Sequence, residues 1–229
     1  MLDEANEFKK IVQKVEPEFD WSKSNASSGK CDDSYVGDVL ACGNGFHFVT
    51  RGIDGGFQYR PVEDSCRNRL ILVLESPHKD EFSSKKSPLG PANGSTGINI
   101  RKLLCCATHG IVSTAGDEYD LVLLNAVQHQ CSLGVGSNKN RKDRLFNACW
   151  KSKILGQEQF KDRLQKALLP EGGKHVVINC CTQSESDSEL DRKKAVSDAI
   201  KETFKSDFYE LNHPSSWRGF GLKSVSMKP

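Results

Sequence analysis

The sequence predicts an α/β protein: a three-layer α/β/α sandwich around a central, mostly parallel sheet of about four strands. Three observations carry this. Short runs rich in Leu, Val and Ile recur along the chain at Leu70–Leu74, Tyr119–Leu124, His175–Cys180 and Phe208–Leu211. Segments of helical period alternate with them, as parallel βαβ units require. Each run also ends abruptly in polar residues, and in an open α/β sheet the carboxyl ends of the strands are where ligands bind.

Taken in order, Leu2, Phe8, Ile11, Val12 and Val15 repeat at helical spacing among Lys and Glu, which predicts an amphipathic helix over residues 2–15. Residues 16–45 are rich in Ser, Gly and Asp and read as loop. From His47 to Pro61 the pattern is that of a β-hairpin, Phe48-Val49-Thr50 and Phe57-Gln58-Tyr59 around a turn at Asp54-Gly55-Gly56. Residues 1–65 are thus expected to decorate an α/β domain spanning 66–229. Within that domain a Gly- and Pro-rich loop, Ser87 to Gly97, leads to a helix Ile98–Ala107 that Ser95 or Thr96 can cap. Further helices are expected near Asp143–Leu155, Gln157–Leu169 and Ser188–Phe204. The polar loop from Ala126 to Lys142 is long for an α/β connection, and such loops tend to be functional.

Of the 229 residues, 32 are Lys or Arg and 30 are Asp or Glu, a net charge of +2 that neither demands nor excludes a nucleic-acid partner. The start, Met1-Leu2-Asp3-Glu4, is acidic and has no apolar core of a signal peptide. The nine cysteines are therefore read as reduced thiols of a cytoplasmic protein, with Cys105-Cys106 and Cys180-Cys181 as buried thiols. No run reaches the length of a membrane span, and no obligate protein partner is evident.

Three strand ends carry the chemistry: Leu74-Glu75-Ser76-Pro77-His78, Leu123-Leu124-Asn125 and His213-Pro214-Ser215-Ser216-Trp217-Arg218-Gly219-Phe220. Their order resembles the uracil-DNA glycosylase superfamily. There a first motif of the form G-Q-D-P-Y or G-E-x-P-G follows the first strand, an Asn closes a strand written L-L-L-N, and a late motif begins H-P-S. Pro88-Leu89-Gly90-Pro91-Ala92-Asn93-Gly94 is similar to the P-F-V-G-x-A-G loop of the G-E-x-P-G branch. The resemblance covers residues 70–222. It implies a uracil-DNA glycosylase-like fold and a hydrolase that cuts the N-glycosidic bond of a flipped-out base in DNA and leaves an abasic site.

The chemistry of the residue types agrees. Heterolysis of a base–sugar bond leaves positive charge on the sugar and negative charge on the base. The resemblance implies Glu75 as the carboxylate beside the sugar and His213 as the donor to the departing base. It implies Asn125 as the amide that reads the base edge, with Pro77, His78 and Leu89 shaping the pocket. Gly94, Ser95, Ser215, Ser216 and Arg218 would hold the DNA backbone, and Trp217 would wedge into the duplex, although a core position suits it as well. Asp80 and Glu81 follow closely and could substitute for Glu75 in its role, although a solvated turn is the commoner reading of such residues. Lys139, Arg141, Lys142, Arg144, Lys151 and Lys153 form a basic run, usually a solvated face and beside DNA an attractor of phosphates. No lysine stands out as a Schiff-base nucleophile, so a monofunctional enzyme without a lyase step is expected.

The chain departs from the family at three places. Ser76 replaces an Asp, His78 replaces the Tyr that screens out thymine, and Leu89 replaces the stacking aromatic. A smaller wall implies a roomier pocket and a bulkier, modified pyrimidine such as those of viral DNA, hence antiviral defence. Ordinary uracil excision in base excision repair, a non-catalytic reader of modified bases, and a nucleoside hydrolase remain alternatives. The G-E-x-P-G branch often holds an iron–sulfur cluster on four Cys. Here Cys31, Cys42 and Cys66 are far apart, only Cys131 and Cys149 echo the later pair, and no cofactor is expected.

Overall fold

A computed structural model describes residues 3–22, 26–49, 56–62, 67–111, 113–133, 139–169, 172–185, 188–217 and 226–228. The strands are β1 (Ser34–Ala41), β2 (Phe46–Phe48), β3 (Asn68–Leu74), β4 (Glu118–Asn125), β5 (Val176–Asn179), β6 (Phe208–Glu210) and β7 (Ser226–Lys228). The helices are α1 (Glu4–Val15), α2 (Ser95–Ala107), α3 (Lys139–Trp150), α4 (Gln157–Ala167) and α5 (Arg192–Thr203). The strands form one sheet in the order β2-β1-β4-β3-β5-β6-β7.

The four expected strands are β3, β4, β5 and β6, and neighbours among them pair in parallel. The sheet around them is larger and mixed, which corrects the four-stranded expectation. β1 joins β4 antiparallel, β2 joins β1 antiparallel, and β7 joins β6 antiparallel. Residues 34–41, read from composition as loop, are thus a full strand. Pairing with β4 satisfies their backbone groups, and a register shift between Tyr35 and Gly37 interrupts the period-2 pattern that would have announced the strand. The expected hairpin is corrected too: Phe46–Phe48 pairs with β1 rather than with residues 57–59. The expected turn at Asp54-Gly55 lies outside the described residues.

Alternation along the inner strands feeds two cores. Ile71, Val73, Val122, Leu124 and Val177 face α1, α3, α4 and α5 through Phe8, Val12, Phe146, Phe160, Leu164 and Val196. Leu70, Leu72, Leu74, Leu121, Leu123 and Ile178 face α2 through Ile100 and Leu104, with Phe46 and Trp217 beside them. Both faces are covered, which is why these strands read as near-continuous apolar runs. Cys180 and Cys181 are buried, whereas Cys105 and Cys106 lie on the exposed side of α2, against expectation. Among the described residues no helix is long and apolar enough to cross a membrane.

The order β4-β3-β5 places a topological switch point between β3 and β5, since the chain leaves β3 to one side for β4 and returns on the other for β5. Ligand sites of open α/β sheets open at the carboxyl ends of strands beside such a reversal. β3 ends there in Leu74, paired with Asn125, and Val73 pairs with Asn179. The chain after β4 is buried from Ala126 to Cys131 and continues alongside β3: Ala126 N–H donates to Leu74 O (2.7 Å) and Val127 N–H to Glu75 O (3.0 Å).

His129 in this stretch is 1 % exposed, neither ring nitrogen has a partner, and the ring lies 4.9 Å from Phe8. Burial pulls its pKa down to about 4. A histidine held neutral in the fold stabilises it above the unfolded value of about 6.5, and that contribution is lost as pH falls toward 4. His129→Phe is therefore expected to remove about 2 kcal/mol of the stability lost between about pH 7 and about pH 5. Urea denaturation at both values, with and without the substitution, measures this.

Candidate active site

A cavity of about 240 Å³ opens at the switch point, and Glu75, Ser76, Pro77, His78, Glu81, Ser95, Lys142, Thr182, His213 and Ser215 are among its lining residues. Each arrives by a local cause. Glu75 is the first residue beyond β3 and follows a run that is buried throughout. Pro77 and His78 lead into a 3-10 turn, Lys79–Glu81, that a reciprocal cap closes: Asp80 N–H donates to His78 Nδ1 (3.4 Å) and His78 N–H to Glu81 Oε1 (3.1 Å). Ser95 opens α2. The cap there is Gly94 at φ 128°, not Ser95 or Thr96, and no side chain caps the helix. Gly97 in the first turn has no alternative residue, because a Cβ would sit 2.2 Å from Ala92 O. His213 precedes Pro214, which starts a second 3-10 turn, Pro214–Ser216.

Glu75 is 1 % exposed yet surrounded by cations and donors. Lys142 Nζ is in contact with Oε1. Oε2 accepts from Thr182 N–H (3.3 Å) and from the Thr182 hydroxyl, and lies 3.9 Å from Arg192 Nε. Arg192 in turn donates to Thr182 Oγ1 (3.1 Å) and Gln183 O (3.0 Å) and pairs with Asp143, which also accepts from Glu185 N–H (3.0 Å). Burial pushes the Glu75 carboxyl up, but Lys142, Arg192 and His213 outweigh it and hold the pKa at about 2.

His213 is the reverse case. Burial pulls its imidazole down to about 4 despite the attraction of Glu75, with Lys142 acting in the same direction as burial. Ser215 N–H donates to Nδ1 (3.2 Å), which leaves the ring proton of the neutral form on Nε2. The site thus joins an ionised carboxylate to a neutral imidazole with one N–H left to offer.

The expected site residues divide. Glu75, Pro77, His78, Ser95, Ser215 and His213 line one cavity. Asn125 does not. It is fully buried, its Nδ2 donates to Glu81 Oε2 (3.5 Å), and Oδ1 has no partner. Leu89 is 46 % exposed and outside the cavity lining, because its N–H pairs with Glu81 O (2.8 Å) and the side chain leaves the fold. Gly94 caps α2 beside Asp80, and Ser216 donates to His213 O (2.7 Å), so both shape the rim without lining the cavity. Trp217 is 2 % exposed, packs in the α2-side core and donates from Nε1 to Asn212 O (2.8 Å). That burial corrects the expectation of a wedge. Arg218 lies outside the described residues.

Three residues escaped the sequence reading. Lys142, expected only as one member of a basic run, lines the cavity against Glu75. Three of the others in that run are ion-paired, Arg141 and Arg144 with Glu16 and Lys151 with Glu189. Arg192 falls within the expected helix Ser188–Phe204 with no role read for it, yet is 5 % exposed. Glu81, read as a solvated turn or a stand-in for Glu75, is 4 % exposed, and its three-residue spacing from His78 was the signal of the cap it forms. Among the described residues no group of three or more His, Cys, Asp or Glu is placed to hold a metal ion. Comparison of the chain with protein-family models, with curated proteins and with solved structures gives no match.

Proposed function

We propose that the chain is a monofunctional DNA glycosylase that hydrolyses the N-glycosidic bond of a flipped-out pyrimidine and leaves an abasic site; with Leu89 outside the cavity, the roomier pocket expected for a bulkier modified base loses its support. The observation that carries the reading is the pairing, in one cavity at the switch point, of a Glu75 kept ionised with a His213 kept neutral. The resemblance of the strand-end motifs to the uracil-DNA glycosylase superfamily supports it. The cavity lies below the range of about 300–1,000 Å³ usual for drug-sized ligands and suits a single heterocycle.

As the bond to the base breaks, its electron pair leaves with the base and the sugar becomes cationic. A carboxylate of pKa about 2 is a poor proton acceptor. Glu75 therefore acts by charge, stabilising the cation and orienting the water that adds at C1′, and the proton this water sheds ends, through solvent, on the departed base anion. Nε2–H of His213 donates to the oxygen on which the base anion concentrates charge. Ser215 and Ser95, with the uncapped first turn of α2, offer donors to the flanking phosphates.

Lys142 Nζ is engaged by Glu75 Oε1 rather than left free in the cavity, and on this reading the reaction stops at the abasic site. Borohydride added during turnover is expected to trap no protein–DNA adduct. An adduct that disappears in Lys142→Ala would replace hydrolysis by a lyase mechanism. The test of the function itself is a panel of single- and double-stranded oligonucleotides carrying uracil, hydroxymethylcytosine and glucosylated cytosine, read by mass spectrometry of released base. Release of at least one of these pyrimidines is expected. Release from uracil alone reassigns the chain to ordinary repair, and binding without release makes it a reader.

A further inference from the structure

We propose that Thr182 is the positioning residue of Glu75: its hydroxyl, oriented by Arg192, clamps Oε2 and leaves Oε1 as the oxygen that works on the sugar. This role rests on the glycosylase reading and concerns the same cavity. The direction of the hydrogen bonds fixes it. A guanidinium has donors and no acceptor, so the bond from Arg192 Nη2 to Thr182 Oγ1 (3.1 Å) makes that oxygen an acceptor. The single hydroxyl proton of Thr182 then goes to Glu75 Oε2, a carboxylate oxygen that only accepts. The backbone N–H of Thr182 donates to the same oxygen (3.3 Å). One residue thus sets two donors on one oxygen, and the carboxylate cannot turn without breaking both.

The clamp is rigid because the segment that carries it is tied down on both sides. Thr182 lies just beyond β5, where Cys181 N–H donates to Asn179 Oδ1 (2.9 Å). After it, Arg192 donates to Gln183 O (3.0 Å) from its side chain and to Ser184 Oγ (3.0 Å) from its backbone N–H, and Glu185 N–H donates to Asp143 on α3 (3.0 Å). Arg192 opens α5, is buried and pairs with the same Asp143. Oε1 is held differently. Its partner Lys142 has a side chain 32 % exposed, against 6 % for Arg192, and lines the cavity on a flexible stem. An incoming phosphate competes for that ammonium and leaves Thr182 and Arg192 in place. Oε2 is therefore the fixed oxygen and Oε1 the one that can change partners.

A carboxylate that acts by charge gains from being held where the cation develops, since it then needs no reorientation during the reaction. Thr182 lines the cavity, but its proton is taken up by Glu75 and it has none to offer DNA. Its effect belongs to the chemical step, and only while residue 75 carries a charge to position.

The experiment measures single-turnover base release at saturating DNA, and DNA affinity, on the oligonucleotide of the panel from which wild type releases base. The variants are Thr182→Val and Thr182→Ser, each alone and combined with Glu75→Gln. Thr182→Val keeps the shape and removes the hydroxyl. It is expected to slow release by roughly 30-fold, as the loss of one hydrogen bond to a charged group dictates, with affinity changed by less than about threefold. Thr182→Ala carries the same expectation and avoids setting a methyl group against Arg192. Thr182→Ser keeps the hydroxyl and is expected to stay within about threefold of wild type. Combined with Glu75→Gln, Thr182→Val is expected to cost less than about threefold more than Glu75→Gln alone, because the charge it positions is gone. Equal slowing in both backgrounds, a loss of affinity that matches the loss of rate, or Thr182→Ser as slow as Thr182→Val would each overturn the proposal and leave the glycosylase reading intact. No base released by wild type from any DNA in the panel removes both.

Discussion

Glu75→Gln is expected to slow base release by roughly 10³-fold, about 4 kcal/mol of transition-state stabilisation. The substitution keeps shape and most hydrogen bonding and removes only the charge, which is what the cationic sugar needs. Binding of the same oligonucleotide is expected to change far less, since charge separation is absent from the ground state. Stability is affected in a way that identifies the network. A carboxyl whose pKa is lowered to about 2 contributes stability above the ordinary value near 4.5 and loses it as pH falls through 2. The difference in unfolding free energy between the two proteins should therefore be full at neutral pH and shrink on acidification. Single-turnover kinetics and urea unfolding at several pH values check both parts, and unchanged release would end the assignment of Glu75.

Arg163→Met is expected to destabilise the fold by about 3 kcal/mol, a fall of about 10 °C in melting temperature. Arg163, on α4, donates to both oxygens of Asp33 (2.8 and 2.6 Å) and to the carbonyls of Asn125 and Ala126 (3.0 Å each). Asp33 also accepts from Asn125 N–H (3.3 Å). Both side chains of the ion pair are largely buried. Removing the cation leaves a shielded carboxylate and two carbonyls without their donor, whereas a lost surface pair would cost almost nothing. The double variant Asp33→Asn with Arg163→Met is expected to recover part of the loss, and a double-mutant cycle by thermal or urea unfolding measures how much.

The parallel centre of the sheet was legible because strands covered on both faces must be apolar throughout, and Leu70–Leu74 and Leu121–Leu124 are. The antiparallel margins were not. β1 contains Gly37 and Asp38 and shifts register beside them, while β2 and β7 are three residues each and owe their conformation to the neighbouring strand. Within the site, Glu75 and His213 were legible because strand ends and an X-Pro turn announce themselves locally. Lys142, Arg192 and Glu81 were not, because each depends on which way a helix or turn is rotated once it packs. Asn125 shows the converse: a strand end was recognised, but the pleat that turns its side chain behind Glu81 is fixed by the pairing with β3.

Because β1 runs along β4 from Ser34 to Leu40, the amino-terminal third cannot be trimmed away to leave a smaller intact fold. Trimming would bare eight consecutive residues, mostly apolar, with their amide and carbonyl groups turned outward, an invitation to strand-by-strand self-association. It would also strip Phe8 and Val12 from the roof over Phe146 and take away the counter-charge of Arg163. What looks in the primary structure like an appendage is the piece that covers the open edge of β4.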